Sequence, residues 1–364
     1  MTIQGRRVSL GVFVTLLVVA ALIGAGSIVW WRLASADRSG PPAPIAQASD
    51  SRSPSRPFKI GRPEKLVASV YGNEVTAVAP KPDGTLAIGT DSGGLYLATL
   101  PEVRTQKFRK IAKLSLPVTS VAVSGNGQVV AALSSDNERA EIAIYQAGRS
   151  AITIHIADAW EADTIALNES GTELAAAAFE VAIYEVATGR RLQKLEFPDV
   201  ASGISAASSV AFRPNGDIAL LSNEGVLTEH LKNGSPGAKF RVCGCESIAQ
   251  AFDPSAEHAI FRTKYGHLVV MLVDTGEFIT DKTIYTASID YFDLAVDREG
   301  RRVLAASPSG RFLLWDLARK RVLARGSSFP KGFLVVAFFD GGHLLLRWPS
   351  DTGPGESYWL SSLE

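Results

Sequence analysis

One pattern recurs along the whole of this chain beyond its first sixty or so residues. The stretch VAFRPNGDIALLSNEGVL reads as an apolar strand, a tight polar turn, a second apolar strand, another turn and the start of a third strand. Six other stretches follow the same plan, from VAPKPDGTLAIGTDSGGLYLA near the start to VAFFDGGHLLLRWPSDTGPGESYWL at the end. Their first turns fall at Gly84, Gly127, Gly171, Gly216, Ala256, Gly300 and Gly342. These positions are separated by about 40–45 residues, the period of a propeller blade. A unit of three or four short strands cannot bury both faces alone, so neighbouring copies must cover each other. Glycine suits the turns because it takes positive φ at no steric cost.

After the third strand, VATGRRLQKLEF, VDTGEFITDK and DLARKRVLARG each add a polar turn and an alternating, charged segment. That composition predicts a fourth strand on the outside of the blade, where one face meets water and charge discourages edge pairing. The segment EKLVASVYG (64–72) is a surplus strand before the first copy, while the last copy stops one strand short. The surplus and the deficit match, which predicts that 64–72 closes the seventh blade.

Trp315-Asp316 ends the third strand of the sixth copy; the same place reads Tyr145-Gln146, Tyr184-Glu185 and Leu272-Val273 elsewhere. A Trp-Asp pair there resembles the WD40 repeat family, and the likeness covers residues 63–364. It implies a seven-bladed WD40-like β-propeller, closed by an N-terminal strand and used as a docking platform. The family's Gly-His pair before the first strand is missing. Gly266-His267 and Gly342-His343 both lie in other turns, so the family's Asp-His-Ser-Trp hydrogen-bond network does not carry over. Propellers of the TolB or YVTN type remain open alternatives.

The N-terminal residues belong to a different regime. From Val8 to Trp31 no side chain is charged. As a helix this stretch spans roughly 36 Å at about 1.5 Å per residue, enough for a hydrocarbon core of about 30 Å. Arg6 and Arg7 precede it, and Trp30, Trp31 and Arg32 mark an interfacial boundary. The domain plan is therefore a basic tail (1–7), a transmembrane signal-anchor (8–33), a Pro/Ser/Ala-rich flexible linker (34–62) and an all-β propeller (63–364). The apolar run is longer than a usual signal-peptide core, although Ala34-Ser35-Ala36 offers a cleavage pattern as the competing reading. The short basic tail predicts that the propeller faces the bacterial periplasm. The lipid bilayer is accordingly one expected partner, through residues 8–31.

Charge narrows the function classes. The chain has 37 basic and 37 acidic side chains, a net charge of zero, so no nucleic-acid partner is expected. There is no Gly-x-Ser-x-Gly elbow, phosphate loop or His-Glu-x-x-His motif. The histidines (155, 230, 258, 267, 343) are scattered, without Cys or carboxylate partners at metal-ligand spacing, and most read as surface or strand-edge residues. No catalytic residue, metal or cofactor is expected. Cys243-Gly244-Cys245 is read as two small loop residues, with a redox pair as the alternative; their i,i+2 spacing is long for an unstrained disulfide. The loops leading into the blades hold Tyr71, Asn73, Trp160, Glu161, Glu246, Asp290 and Tyr291. These are the candidate partner-binding residues, with Trp160 foremost because its indole stands among acids in ADAWEAD. The reading is a membrane-anchored, non-catalytic scaffold for membrane or envelope proteins. The alternative is a propeller that binds or hydrolyses a small ligand at its axial channel, with Asn73, Glu74, Glu161, Glu246 and Asp290 around one mouth.

Overall fold

The computed structural model describes residues 60–136, 139–157, 164–177, 181–195, 207–222, 225–241, 247–263, 268–279, 293–340, 343–349 and 356–362. It is a seven-bladed β-propeller of antiparallel sheets. Blade one comprises Asn73–Pro80, Thr85–Thr90, Gly94–Thr99 and Arg109–Lys113. Blade two comprises Val118–Val123, Val129–Ser135, Arg139–Gln146 and Ile152–Ala157. Blade three comprises Thr164–Leu167, Glu173–Ala177, Val181–Glu185 and Arg191–Leu195. Blade four comprises Ala207–Phe212, Ile218–Ser222, Val226–His230 and Pro236–Arg241. Blade five shows Ser247–Phe252, His258–Thr263 and Leu268–Leu272, with a lone Met271–Phe278 bridge where an outer strand would begin. Blade six comprises Asp293–Val296, Arg302–Ala306, Phe312–Asp316 and Arg321–Gly326. Blade seven comprises Leu334–Asp340, His343–Pro349 and Glu356–Ser362.

The first strand of each blade touches the first strands on either side, so these strands surround the axis. Seven apolar clusters hold the ring, one between each pair of adjacent blades. Strand alternation explains how. Leu86 and Ile88 pack toward blade seven while Ala87, between them, packs toward blade two. Leu344 and Leu346 face blade six while Leu345 faces blade one. Both faces of every blade are therefore buried, and the strands read as apolar runs instead of a simple alternation.

Glu64–Val67 pairs antiparallel with Glu356–Ser362, setting Glu64 opposite Leu360 and Val67 opposite Tyr358. Leu66 and Val67 enter the apolar cluster between blades seven and one. The segment 64–72 is not one continuous strand, however. The chain leaves blade seven at Ala68, whose carbonyl accepts from the Val75 N–H (3.0 Å). Ser69–Val70 then pairs with the start of blade one. The turn between them has Tyr71 at φ 51° and Gly72 at φ 84°, the two positive angles that a tight hairpin needs. One feature lies outside the repeat plan: a short helix, Leu100–Arg104, between the third and fourth strands of blade one. Glu102 accepts from the Thr99 N–H (2.7 Å) to cap it, and Val103 is its buried anchor.

No helix among the described residues is long and apolar enough to cross a membrane, and Val8–Trp31 lies outside them.

Candidate functional site

The ring has two faces. The upper face carries the loops that lead into each first strand; the lower face carries the turns that join first to second strands. On the upper face two of the expected partner-binding residues are described, and both are engaged in holding the fold. The Tyr71 hydroxyl donates to the Phe108 carbonyl (3.0 Å) and accepts from the Phe108 N–H (3.2 Å). Its ring meets Tyr96 and Phe108 edge-on, at 6.1 and 5.7 Å between centroids. The Asn73 amide donates to the Val70 carbonyl (3.1 Å), clasping the hairpin. Trp160, Glu161, Glu246, Asp290 and Tyr291 lie outside the described residues, as do Cys243 and Cys245.

The same face carries an aromatic cluster that the sequence did not single out. The loop entering blade seven docks on the blade-six turn: the Phe329 N–H donates to Gly310 O (2.9 Å) and the Gly332 N–H to Pro308 O (2.8 Å). This buries Phe329 and Phe333. Phe333 meets Trp348 at 4.7 Å and Trp359 at 5.3 Å, both nearly perpendicular. Gly332 has φ +80°, and a Cβ there would stand 2.7 Å from the Trp348 ring. The indole thus lies directly over bare backbone. Trp348 remains 37% exposed, so a rigidly supported aromatic surface faces solvent.

The lower face repeats one device. In blades five and six an aspartate opens the turn and folds over it. Asp297 accepts from the Arg301 and Arg302 N–H groups (2.6 and 2.9 Å) and from Arg302 Nε (2.7 Å). Asp253 accepts from the His258 N–H (2.7 Å) and the Ser255 hydroxyl (2.6 Å), and lies 3.2 Å from His258 Nδ1. His258 therefore has a carboxylate partner after all. Asp253, Glu257 and His258 bring possible ligand atoms within 4.8 Å of one another. The parallel with Asp297 assigns Asp253 to turn locking, and its oxygens are already occupied by internal donors.

Two further polar groups are buried in blade four. His230 is 4% exposed, not on the surface, and neither ring nitrogen has a hydrogen-bond partner among the described residues. Burial lowers its pKa below the ordinary histidine value. It pairs across the ladder with Ile218, which packs toward blade three, so His230 shares that interface. Arg213 pairs with Glu229 and reaches Asp274 of blade five. Burial works against its charge, and the Asp274 and Glu229 carboxylates outweigh that effect and raise its pKa.

Trp315, of the Trp-Asp pair, is 6% exposed between blades five and six, and its indole N–H has no acceptor among the described residues. Asp316 accepts instead from the Arg319 N–H (2.9 Å) and Arg319 guanidinium (3.1 Å) of the following turn. No known protein family matches the chain, and no curated protein is significantly similar to it.

Proposed function

We propose that this protein is a membrane-anchored, non-catalytic docking platform whose WD40-like propeller binds an envelope-protein partner in the periplasm through its upper face. The observation that carries the reading is the Phe333–Trp348–Trp359 cluster. Trp348, exposed, and Trp359, half-buried, stand on the buried Phe333 beside the exposed Lys331, and rigid aromatic rings with a polar rim are what protein-binding hot spots use. Tyr71, 63% exposed and clamped at its hydroxyl, is a second pre-organised ring, in the hairpin that leads into blade one. Anchoring rests on the uncharged run from Val8 to Trp31.

The test is capture of the tagged full chain from detergent-solubilised membranes, with Trp348→Ala beside the wild type. The variant should lose about 2 kcal/mol or more of partner affinity per folded molecule. Retention of the same partners at wild-type strength would remove the upper face from the proposal. Alkaline carbonate extraction addresses the anchor separately: the chain should stay with the membrane pellet, and release would count against anchoring.

A further inference from the structure

We propose that the axial cavity on the lower face is a binding site for a small monoanionic carboxylate with an apolar body, held by Arg298. The cavity, about 490 Å³, opens among the turns of blades one, two, five, six and seven. A second cavity of about 710 Å³ lies beside it, toward blades three and four. Arg298 lines both. Its guanidinium crosses from blade six to blade two and donates to the Gly125 carbonyl (3.1 Å). One arginine side chain thus stands as the partition between the two spaces.

The cations of the first cavity are not equivalent. Lys81 is paired with Asp83 (3.0 Å). Arg302 is paired with Asp297 (2.7 Å) and lies over the Phe338 ring (5.2 Å). Arg298 is exposed and has no carboxylate within ion-pair distance among the described residues. It is positioned by a neutral acceptor that uses one of its five N–H donors, leaving the fork free for a bidentate carboxylate. With Asp83 counted beside Lys81, the charges around the cavity balance: Lys81, Arg298 and Arg302 against Asp83, Asp297 and Glu299. Lys81 and Arg302 are satisfied by their own carboxylates, so Arg298 is the cation of this lining that one further carboxylate would pair. Glu169 presses against Gly125, where an added Cβ would lie 1.5 Å from its Oε2. That carboxylate, with Glu299, disfavours a dianion such as phosphate. Beside Ser124, the wall offers apolar surface from Val123, Pro254, Val296 and Phe338. The volume falls within the range of about 300–1,000 Å³ in which small ligands are bound.

Calorimetric titration of the full chain in lipid nanodiscs tests this with 3-phenylpropionate, its uncharged counterpart 3-phenylpropanol, and inorganic phosphate. The acid should bind, and the alcohol and phosphate should bind at least about tenfold more weakly, as loss of charge-assisted hydrogen bonds implies. Arg298→Gln should weaken the acid by about tenfold or more, and Arg298→Lys should recover part of that. Thermal unfolding of both variants checks that the ring is intact. Absence of acid binding, equal binding of the alcohol or of phosphate, or an unchanged affinity in folded Arg298→Gln would overturn the proposal.

Discussion

Replacing Arg213 by methionine should destabilise the propeller mainly through Glu229. The guanidinium and the Glu229 side chain are 10% and 11% exposed, whereas Asp274 is 63% exposed. An exposed carboxylate contributes about 0–1 kcal/mol to such a pair, so loss of the Asp274 contact matters little. Glu229 is different. It sits opposite Ala219, which belongs to the apolar cluster between blades four and five. Without Arg213 its charge is buried and unpaired, which costs about 3–5 kcal/mol. Against a total stability of about 5–15 kcal/mol for a folded domain, that loss is large. The double variant Arg213→Met, Glu229→Leu removes both charges and should recover most of it, since a buried pair replaced by packed apolar groups is close to neutral. Urea unfolding at neutral pH, followed by circular dichroism, gives the three stabilities. The reasoning fails if the single variant loses less than about 1 kcal/mol, or if the double variant is no more stable than the single one.

Three other outcomes are expected. Gly84→Ala meets no neighbour within 4 Å and should cost about 1 kcal/mol for its positive φ alone. Gly171→Ala also drives a Cβ to 2.6 Å from Val129 and should cost about 2 kcal/mol or more in thermal unfolding; equal losses would show that blade packing does not constrain the turn. His230, buried and uncharged, has a lowered pKa, so only the unfolded chain takes up its proton as the pH first falls below about 6.5. Stability should therefore be unaffected by this group above that pH and decline as the pH falls toward the folded-state pKa. His230→Leu should remove this component from urea-derived stabilities measured against pH. A chain beginning at residue 60 should elute as a compact monomer on size exclusion. One beginning at residue 74 lacks the Glu64–Val67 strand and leaves the Glu356–Ser362 edge bare, so it should aggregate; identical elution would mean that closure is dispensable.

The ring was legible because its determinants are local. Gly84, Gly127, Gly171, Gly216 and Gly300 all have positive φ, and Ala256 takes the same region at 49°. Each donates its N–H to the carbonyl three residues earlier. A turn of this kind is set by a few consecutive residues, so its spacing along the chain counts the blades. The extra strand before the first copy was visible in EKLVASVYG, but its pairing with Glu356–Ser362 is a contact between distant residues. The break at Ala68 was not legible, because the chain must pass between blades there and the hairpin at Tyr71-Gly72 is set by blade one.

The candidate sites depend on contacts between distant residues. Trp348 gains its place from Gly332 and Phe333, which arrive on another loop. Asp253 beside His258 could be assigned to turn locking only once Asp297 was seen in the same pose. Arg298 and Gly125 are 173 residues apart and meet across the axis. The sequence by itself determined the number of blades and their turns, since each follows from backbone angles and the alternation of neighbouring side chains. Only the tertiary structure decided which side chains face one another over the ring and its mouth. Those meetings depend on how seven twisted sheets pack around an axis, a geometry that no local spacing encodes.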